Sequence, residues 1–386
     1  MKKKKKNSKS TKKKNNIIKD TYKNKRYIIK EEDNKDVLKK ILKIFLITRI
    51  VLVIFLVISE IFLSNGCNDT YKNVFDLFDN EHYLNIANRG YKYLHEFAFF
   101  PLTPLLIRYL GKFGFLVLNQ VCVFLSGYIF YLISKNIYEK EDNYWVTILY
   151  FISPISVFTC MFYSEALFIF LTLLAFYLYK TKKNYFVLGI ILGLSVLNRS
   201  LGSMLFFTIF IFMFINFIKK KEKFKNILIC YIPATIISCL YPIYLYIKTG
   251  DFLYFMTVQY EFWWRISTNI FTILFDVFKL TFKLPVFMHI VDYFIVFGLF
   301  FYIFYYIFKH RKEKKYYEIF LYIIFSIIAI CSTIRDNGYA IASFYRYLFG
   351  CFPIYFMIKK NYITLSLMLV YSFFVTILFL LGVYFF

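Results

Sequence analysis

The segment that decides the fold class runs from Ile44 to Leu63 and reads IFLITRIVLVIFLVISEIFL. As a helix, a run of about 20 apolar residues spans the roughly 30 Å hydrocarbon core of a bilayer. Similar runs recur up to the C-terminus of this 386-residue chain, which is 60% hydrophobic and 23% aromatic. They do not alternate polar and apolar positions, as the strands of a membrane barrel would. The sequence therefore predicts an all-α integral membrane protein.

The segment before this run is basic and poor in apolar residues. Residues 1–40 are rich in lysine and asparagine, so we expect a disordered cytosolic tail followed by a polytopic transmembrane domain over residues 41–386. The run 44–63 is too long for the core of a signal peptide and is interpreted as an anchor. Arg49 within it is interpreted as a snorkelling residue or a structural ion-pair partner rather than a substrate-binding residue.

The net charge of +25 raises the question of nucleic-acid binding. The lysines, however, concentrate in the tail and in short clusters between apolar runs, which is typical of cytoplasmic loops and not of a phosphate-tracking face. Nucleic acid is therefore not expected as a partner. Placing every lysine cluster on the side of the N-terminus gives about eleven spans. The predicted spans are 44–63, 113–134, 145–162, 165–179, 185–198, 203–218, 226–247, 285–308, 316–333, 341–358 and 362–384.

By this count, the segment 64–112 faces the compartment opposite the tail, which is the lumen for an internal membrane. It contains FDNEHYLNIANRGY at 78–91 and FAFFPLTP at 97–104. On a helix that begins near Asp79, the i, i+3 and i+4 spacings place Asp79, His82 and Tyr83 on one face. Asp79 could serve as a general base toward a hydroxyl, with His82 orienting it or binding substrate. The alternative is that Asp79 is only an N-cap and His82 a surface residue.

Charged residues also lie at the ends of later apolar runs on the same side. A buried Arg199 would suit a phosphate or pyrophosphate oxyanion, whereas the alternative is a structural ion pair with Glu165. Arg265 and Arg346 are further cations there, for which structural or interfacial roles are favoured. From helical spacing alone, Glu81 points away from Asp79 and is interpreted as a solvated carboxylate.

No motif indicates a metal or a nucleotide. The histidines lack ligand spacing, and no Walker or Rossmann glycine pattern occurs, so a catalytic metal is not expected and nucleotide-driven chemistry is disfavoured. Gly189-x-x-x-Gly193 is interpreted as a site of close helix packing. Among the seven cysteines, only Cys67 and Cys331 are placed so that one disulfide could form.

The stretch from Phe78 to Pro104 resembles the signature loop of the PIG-V family, the second mannosyltransferases of glycosylphosphatidylinositol (GPI) anchor synthesis. That loop reads Trp-Asp-x-x-His-Phe, a short helix, Gly-Tyr and an Ala-Phe-Phe-Pro run. The positions in register here are Asp79, His82, Gly90, Tyr91, Ala98, Phe99, Phe100 and Pro101. Tyr-Ser-Glu at 163–165 and Arg-Ser-x-Gly at 199–202 match further landmarks in the same order. Departures from the family pattern are Phe78 for Trp, Tyr83 for Phe and Leu201 where Asn is common.

The resemblance implies a GT-C type glycosyltransferase of the endoplasmic reticulum membrane, with a lumenal catalytic loop over 64–112. It implies an inverting transfer of an α1,6-linked mannose from dolichyl-phosphate-mannose to the GPI precursor that bears one mannose, without a cofactor. It also implies Asp79 as the catalytic base and, as substrate-binding residues, Glu81, His82, Tyr91, Ser164, Glu165, Arg199 and Arg346. Whether a small membrane accessory subunit is needed stays open.

Two other classes of protein remain as alternatives. One is another lipid-linked-sugar transferase of the same architecture, acting on a different GPI mannose or on an N-glycan precursor. The other, less favoured, is a lipid transporter or scramblase. A transporter would predict internal repeats with matched broken helices, and the sequence contains no such repeat.

Overall fold

The structure is a computed structural model that describes residues 33–64, 78–138, 142–182, 184–269, 273, 278, 287–335 and 343–380. The helices in order are α1 (Asn34–Ser64), α2 (Asp79–Arg89), α3 (Leu102–Asn136), α4 (Tyr144–Phe151), α5 (Glu165–Thr181), α6 (Tyr185–Asn198), α7 (Gly202–Ile218), α8 (Phe224–Thr249), α9 (Tyr254–Glu261), α10 (Phe287–His310), α11 (Tyr317–Ile330), α12 (Phe344–Gly350), α13 (Pro353–Met357) and α14 (Tyr362–Leu380). Short 3₁₀ segments lie at Leu94–Ala98, Phe158–Cys160 and Lys314–Tyr316. Strands β1 (Arg265–Ser267) and β2 (Thr333–Arg335) pair antiparallel.

Five helices in the described ranges are long and apolar enough to cross a membrane, and they lie within α1, α3, α8, α10 and α14. Helices α6 and α7 are apolar but shorter. This architecture agrees with the predicted all-α membrane class. The number of about eleven spans and the lumenal position of the 64–112 loop remain predictions.

Two of the predicted spans are not continuous helices. In the span predicted at 145–162, α4 ends at Phe151 and the chain continues through turns around Pro154 and a 3₁₀ segment. In the span predicted at 341–358, α12 ends at Gly350 and α13 begins with Pro353. Proline lacks the amide hydrogen that would continue a helix but suits its first turn. Hydropathy alone did not reveal these breaks, because apolar residues predominate in both segments.

Arg49 contacts the first of these breaks. It is buried in α1, and its Nη1 donates to Thr159 Oγ1 at 2.8 Å and to the Ser156 carbonyl oxygen at 3.4 Å. The structure thus gives Arg49 a structural role, with hydroxyl and carbonyl oxygens as its partners. Helix α1 begins at Asn34, within the segment predicted as the tail, whereas residues 1–32 and Cys67 lie outside the described residues.

Close helix packing at Gly189 and Gly193 is confirmed. A Cβ atom added at Gly189 would lie 2.0 Å from the carbonyl oxygen of Cys230, and one at Gly193 would lie 2.7 Å from Cβ of Ile237. Both contacts join α6 to α8. Any larger side chain at either glycine would push these two helices apart.

Helix α3 bends near its start, and this bend positions α2. Gly111 has φ 72° and ψ 168°, a conformation that favours glycine, and it separates the first turns of α3 from the rest. Ile107 and Phe115, one on each side of the bend, pack with Tyr83 and Ile86 of α2 in one buried cluster. Helix α2 therefore lies against the bend of α3.

Candidate active site

Helix α2 presents the polar residues of the loop. It begins directly after Phe78, whose φ of 54° is left-handed and whose side chain makes no capping bond. The N-cap position thus belongs to Phe78, so Asp79 is the first helical residue and not the cap. Its carboxylate Oδ2 accepts a hydrogen bond from Nη2 of Arg346 in α12 at 2.7 Å.

Four of the predicted site residues meet in one charged cluster: Asp79, Glu165, Arg199 and Arg346. Oε1 of Glu165 accepts from Nη1 of Arg199 at 2.5 Å and also from Nε of Arg346. Glu165 is fully buried, and within the described part of the chain its Oε2 has no hydrogen-bond partner. The Arg199–Glu165 ion pair considered from the sequence is therefore present, but it is part of a larger network that reaches Asp79.

Neutral polar side chains fix this network in place. Asn80 is buried and its Oδ1 accepts from the Phe162 amide at 2.8 Å, which ties α2 to the segment before α5. The Tyr83 hydroxyl donates to Ser164 Oγ at 3.2 Å, and Nδ2 of Asn198 donates to the Ser164 carbonyl at 3.0 Å. Ser164 thus links α2 and α6 next to Glu165. The buried asparagines were missed from the sequence, although each directly follows or precedes a site residue.

His82 is held in an aromatic cluster. Its ring stacks on Phe99 with centroids 4.8 Å apart and meets the edges of His95 and Trp263 at 5.4 Å each. Burial lowers the pKa of His82 below its usual 6.5, an effect that outweighs the attraction of nearby carboxylates such as Asp79. The imidazole is therefore neutral at pH 7 and can both donate and accept one hydrogen bond.

Glu96 is the hydrogen-bond acceptor at the centre of the loop that follows α2. Sequence reasoning did not single this residue out. Its Oε2 accepts from the amides of Lys92 and Tyr93 at 2.8 and 3.0 Å, and Oε1 accepts from Nη2 of Arg89 at 2.6 Å. Although burial disfavours its charged form, these amides and the guanidinium lower the pKa of Glu96 below its usual value. This buried carboxylate therefore ties the end of α2 to the backbone of the loop that follows it. The sequence feature that could have identified Glu96 is that it is a single acidic residue within an aromatic segment.

Glu81 and Tyr91 lie apart from the charged cluster. Glu81 is exposed on α2. The Tyr91 hydroxyl donates to the Phe99 carbonyl at 2.7 Å, and its ring stacks on Phe97 at 5.1 Å. Tyr91 also lines an adjacent cavity, which gives it a different environment from that of Asp79.

This cavity has a volume of about 320 Å³ and is mostly apolar. Its walls come from the end of α2, the loop at Pro101 and helices α3, α6 and α8. The lining residues include Ile86, Tyr91, Leu105, Leu197, Leu240 and Tyr244. Of the described residues in this lining, Arg108 alone carries a charge. An apolar cavity of this size beside a polar loop suits a segment of a lipid chain.

Across the ranges that the structure describes, no group of three or more His, Cys, Asp or Glu side chains is arranged to hold a metal ion. The histidines nearest the site, His82 and His95, pack against each other and against aromatic rings.

Comparison with known proteins places these residues in a family. The family model described as mannosyltransferase (PIG-V) matches residues 53–261, which is more than half of the chain and includes Asp79, Glu165 and Arg199. GPI alpha-1,6-mannosyltransferase 2 from Homo sapiens is 31% identical over 112 residues, covering 25% of this chain and 23% of that protein. The protein of the same name from Cricetulus griseus is 30% identical over 142 residues, covering 32% of this chain and 28% of that protein. The similarity thus spans less than a third of the length of either relative, whereas the family model spans most of the site, and the chain belongs to the mannosyltransferase (PIG-V) family.

Proposed function

We propose that this protein transfers the second, α1,6-linked mannose from dolichyl-phosphate-mannose to the mannosyl-glucosaminyl-phosphatidylinositol intermediate of GPI anchor synthesis. Family membership and the names of the two relatives support a GPI mannosyltransferase. The α1,6 linkage, the dolichyl-phosphate-mannose donor and the one-mannose acceptor are those that the resemblance of the sequence to the PIG-V family implies. The reaction would take place on the lumenal face of the endoplasmic reticulum membrane.

One observation carries the proposal: the Asp79 carboxylate lies 2.7 Å from a guanidinium of a buried network with two arginines. A glycosyl transfer from a lipid phosphate needs a base for the acceptor hydroxyl and cations for the departing phosphate. The charged cluster offers a candidate for each requirement, with the Asp79 carboxylate as the base and Arg199 and Arg346 as the cations. The second oxygen of Asp79, Oδ1, is the one that would face the acceptor, because Oδ2 is engaged by Arg346.

The step is a single displacement. The acceptor 6-hydroxyl gives its proton to Asp79 as its oxygen bonds to the anomeric carbon of mannose. The bond between that carbon and the phosphate oxygen breaks, and the electron pair leaves with dolichyl phosphate. Attack from the face opposite the leaving group inverts the anomeric centre. Arg199 and Arg346 stabilise the negative charge that develops on the phosphate.

The remaining predicted site residues have supporting roles in this mechanism. His82, neutral and fixed by its aromatic neighbours, would hold a sugar hydroxyl, and Glu81 would bind another from its exposed position on α2. Tyr91 would contact the lipid side of a substrate, since it lines the apolar cavity. Glu165 and Ser164 would hold the arginines and α2 in place. No nucleotide is required, because the leaving group is already a phosphate.

Complementation tests the proposal. In cells that lack addition of the second GPI mannose, the wild-type chain should restore surface GPI-anchored protein, and mass spectrometry should show the one-mannose intermediate converted to the two-mannose lipid. Asp79→Asn should not restore it. Conversion of a different lipid-linked sugar would favour the other transferases, and lipid movement without transfer would favour a transporter.

A further inference from the structure

A further arginine, Arg265, lies beside the charged cluster, and the mechanism above does not use it. Arg265 of β1 donates from Nη2 to the hydroxyl of Tyr347 at 3.2 Å, and its guanidinium carbon lies 5.7 Å from the centre of that ring. Arg199 contacts the same ring from 5.3 Å. Tyr347, in α12 next to Arg346, therefore joins Arg265 to the network around Glu165.

The strand pair fixes where Arg265 lies. Strand β1 pairs with β2 in antiparallel register, with Arg265 opposite Arg335 and Ser267 opposite Thr333. The Arg265 side chain also donates from Nη1 to Thr333 Oγ1 at 3.4 Å. Two segments far apart in sequence thus combine to hold one guanidinium beside α12. A small sheet of this kind is well suited to that task, because its backbone pairing sets the register.

Among the described residues of this region, the positive and negative charges do not balance. Arg199 and Arg346 pair with Glu165, and Arg346 pairs also with Asp79. In the described ranges, Arg265 makes no ion pair with a carboxylate. Among the described residues, three guanidiniums (Arg199, Arg265 and Arg346) therefore stand against two carboxylates (Asp79 and Glu165), which is an excess of one positive charge. A partly buried site with an excess cation attracts an anion, and a guanidinium matches phosphate oxygens in particular.

We propose that Arg265 is a phosphate-binding residue for the lipid-phosphate donor and that Tyr347 is the residue that positions it. Arg265 would bind the donor phosphate before transfer and the lipid monophosphate after the bond to the sugar breaks. The Tyr347 hydroxyl accepts from Arg265, so its own proton is free to be donated to a phosphate oxygen. This inference rests on the proposed function for its reaction, but phosphate binding can be measured without any transfer.

The test measures binding to the purified full-length chain with two short isoprenoids, citronellyl phosphate and citronellol. Their affinity ratio reports the phosphate contribution alone, because the apolar chains are the same. We expect Arg265→Gln to lower this ratio about tenfold or more, and Tyr347→Phe to lower it severalfold. Arg265→Lys should restore part of it. The control is Arg311→Gln, which removes an exposed arginine that likewise lies over an aromatic ring.

Two outcomes would overturn the proposal. The first is an unchanged ratio in both Arg265→Gln and Tyr347→Phe when the thermal unfolding temperature matches the wild type. The second is an equal weakening of both ligands, which would indicate a structural role. If the wild type binds the phosphate selectively but transfers no mannose, the proposed function fails and this site stands.

Discussion

Arg346 and Asp79 lie 267 positions apart in the sequence, and a hydrogen bond of 2.7 Å joins them. The same guanidinium also contacts Glu165, so one arginine connects a carboxylate at the start of α2 with a buried carboxylate at the start of α5. Removal of the Asp79 carboxylate and removal of the Glu165 carboxylate should have different consequences, because Asp79 is partly exposed whereas Glu165 is not. The first two predictions follow from this difference.

Asp79→Asn should abolish most transfer while leaving the protein folded. An amide cannot take the acceptor proton, and we expect the rate to fall about a hundredfold or more. The measurement is mannose transfer in microsomes, normalised to protein level. Asp142→Asn is the matched control, because it removes a carboxylate whose partner is the exposed Lys360. Full activity of Asp79→Asn at normal protein levels would exclude Asp79 as the base.

Glu165→Gln should lower stability more than Arg199→Gln does. The first change leaves the buried guanidinium of Arg346 and the partly buried one of Arg199 without their shared carboxylate oxygen, a loss of about 3 to 5 kcal/mol for a broken buried pair. The second leaves Glu165 paired with Arg346, so it should reduce turnover more than stability. Thermal unfolding in detergent and transfer rate per folded molecule separate the two effects. Equal losses of abundance for both variants would mean that Arg199 is only structural.

Local patterns in the sequence predicted the membrane class and the stretch of sequence that forms the polar helix α2, because each depends on a contiguous run of residues. The partners of the loop could not be predicted in this way. Arg346 meets Asp79, and Arg265 meets Tyr347, only because the folded chain brings distant segments together. The break after Phe151 was missed for a related reason. Hydropathy averages over a segment, whereas a single Pro154 decides whether the helix continues.

Glu96→Gln should loosen the loop that follows α2. Glutamine offers one acceptor oxygen in place of two, so it cannot keep the bonds to both Arg89 and the amides of Lys92 and Tyr93. We expect faster hydrogen–deuterium exchange over residues 90–100 and an opening free energy lower by about 1 to 3 kcal/mol. Exchange in α6 and α8 should stay unchanged and serves as the internal control. Unchanged protection of the loop would show that its aromatic packing suffices.

The pH dependence of stability should report His82. Its pKa is lowered in the folded protein, so the unfolded chain binds more protons as pH falls below about 6.5. The stabilisation is therefore complete above that value and is lost as pH falls through it. His82→Phe keeps the ring stack on Phe99 but cannot titrate. We expect the decline in thermal unfolding temperature between about pH 7.5 and 5.5 to be smaller in this variant than in the wild type. The same decline in both would assign it to other groups.

Leu240→Trp should distinguish lipid chains by their length. Leu240 of α8 lines the apolar cavity beside Tyr91, and a larger side chain there would fill part of the space. If the cavity holds a segment of the donor chain, the variant should raise the KM for a long polyprenyl donor more than for a donor with a short isoprenoid chain. Ile243→Trp is the matched control, because Ile243 is a comparably exposed residue on the same helix and is not part of the lining. Equal effects of the two substitutions on both donors would place the lipid chain elsewhere on the protein, since only a chain seated in the cavity can sense a change confined to its wall.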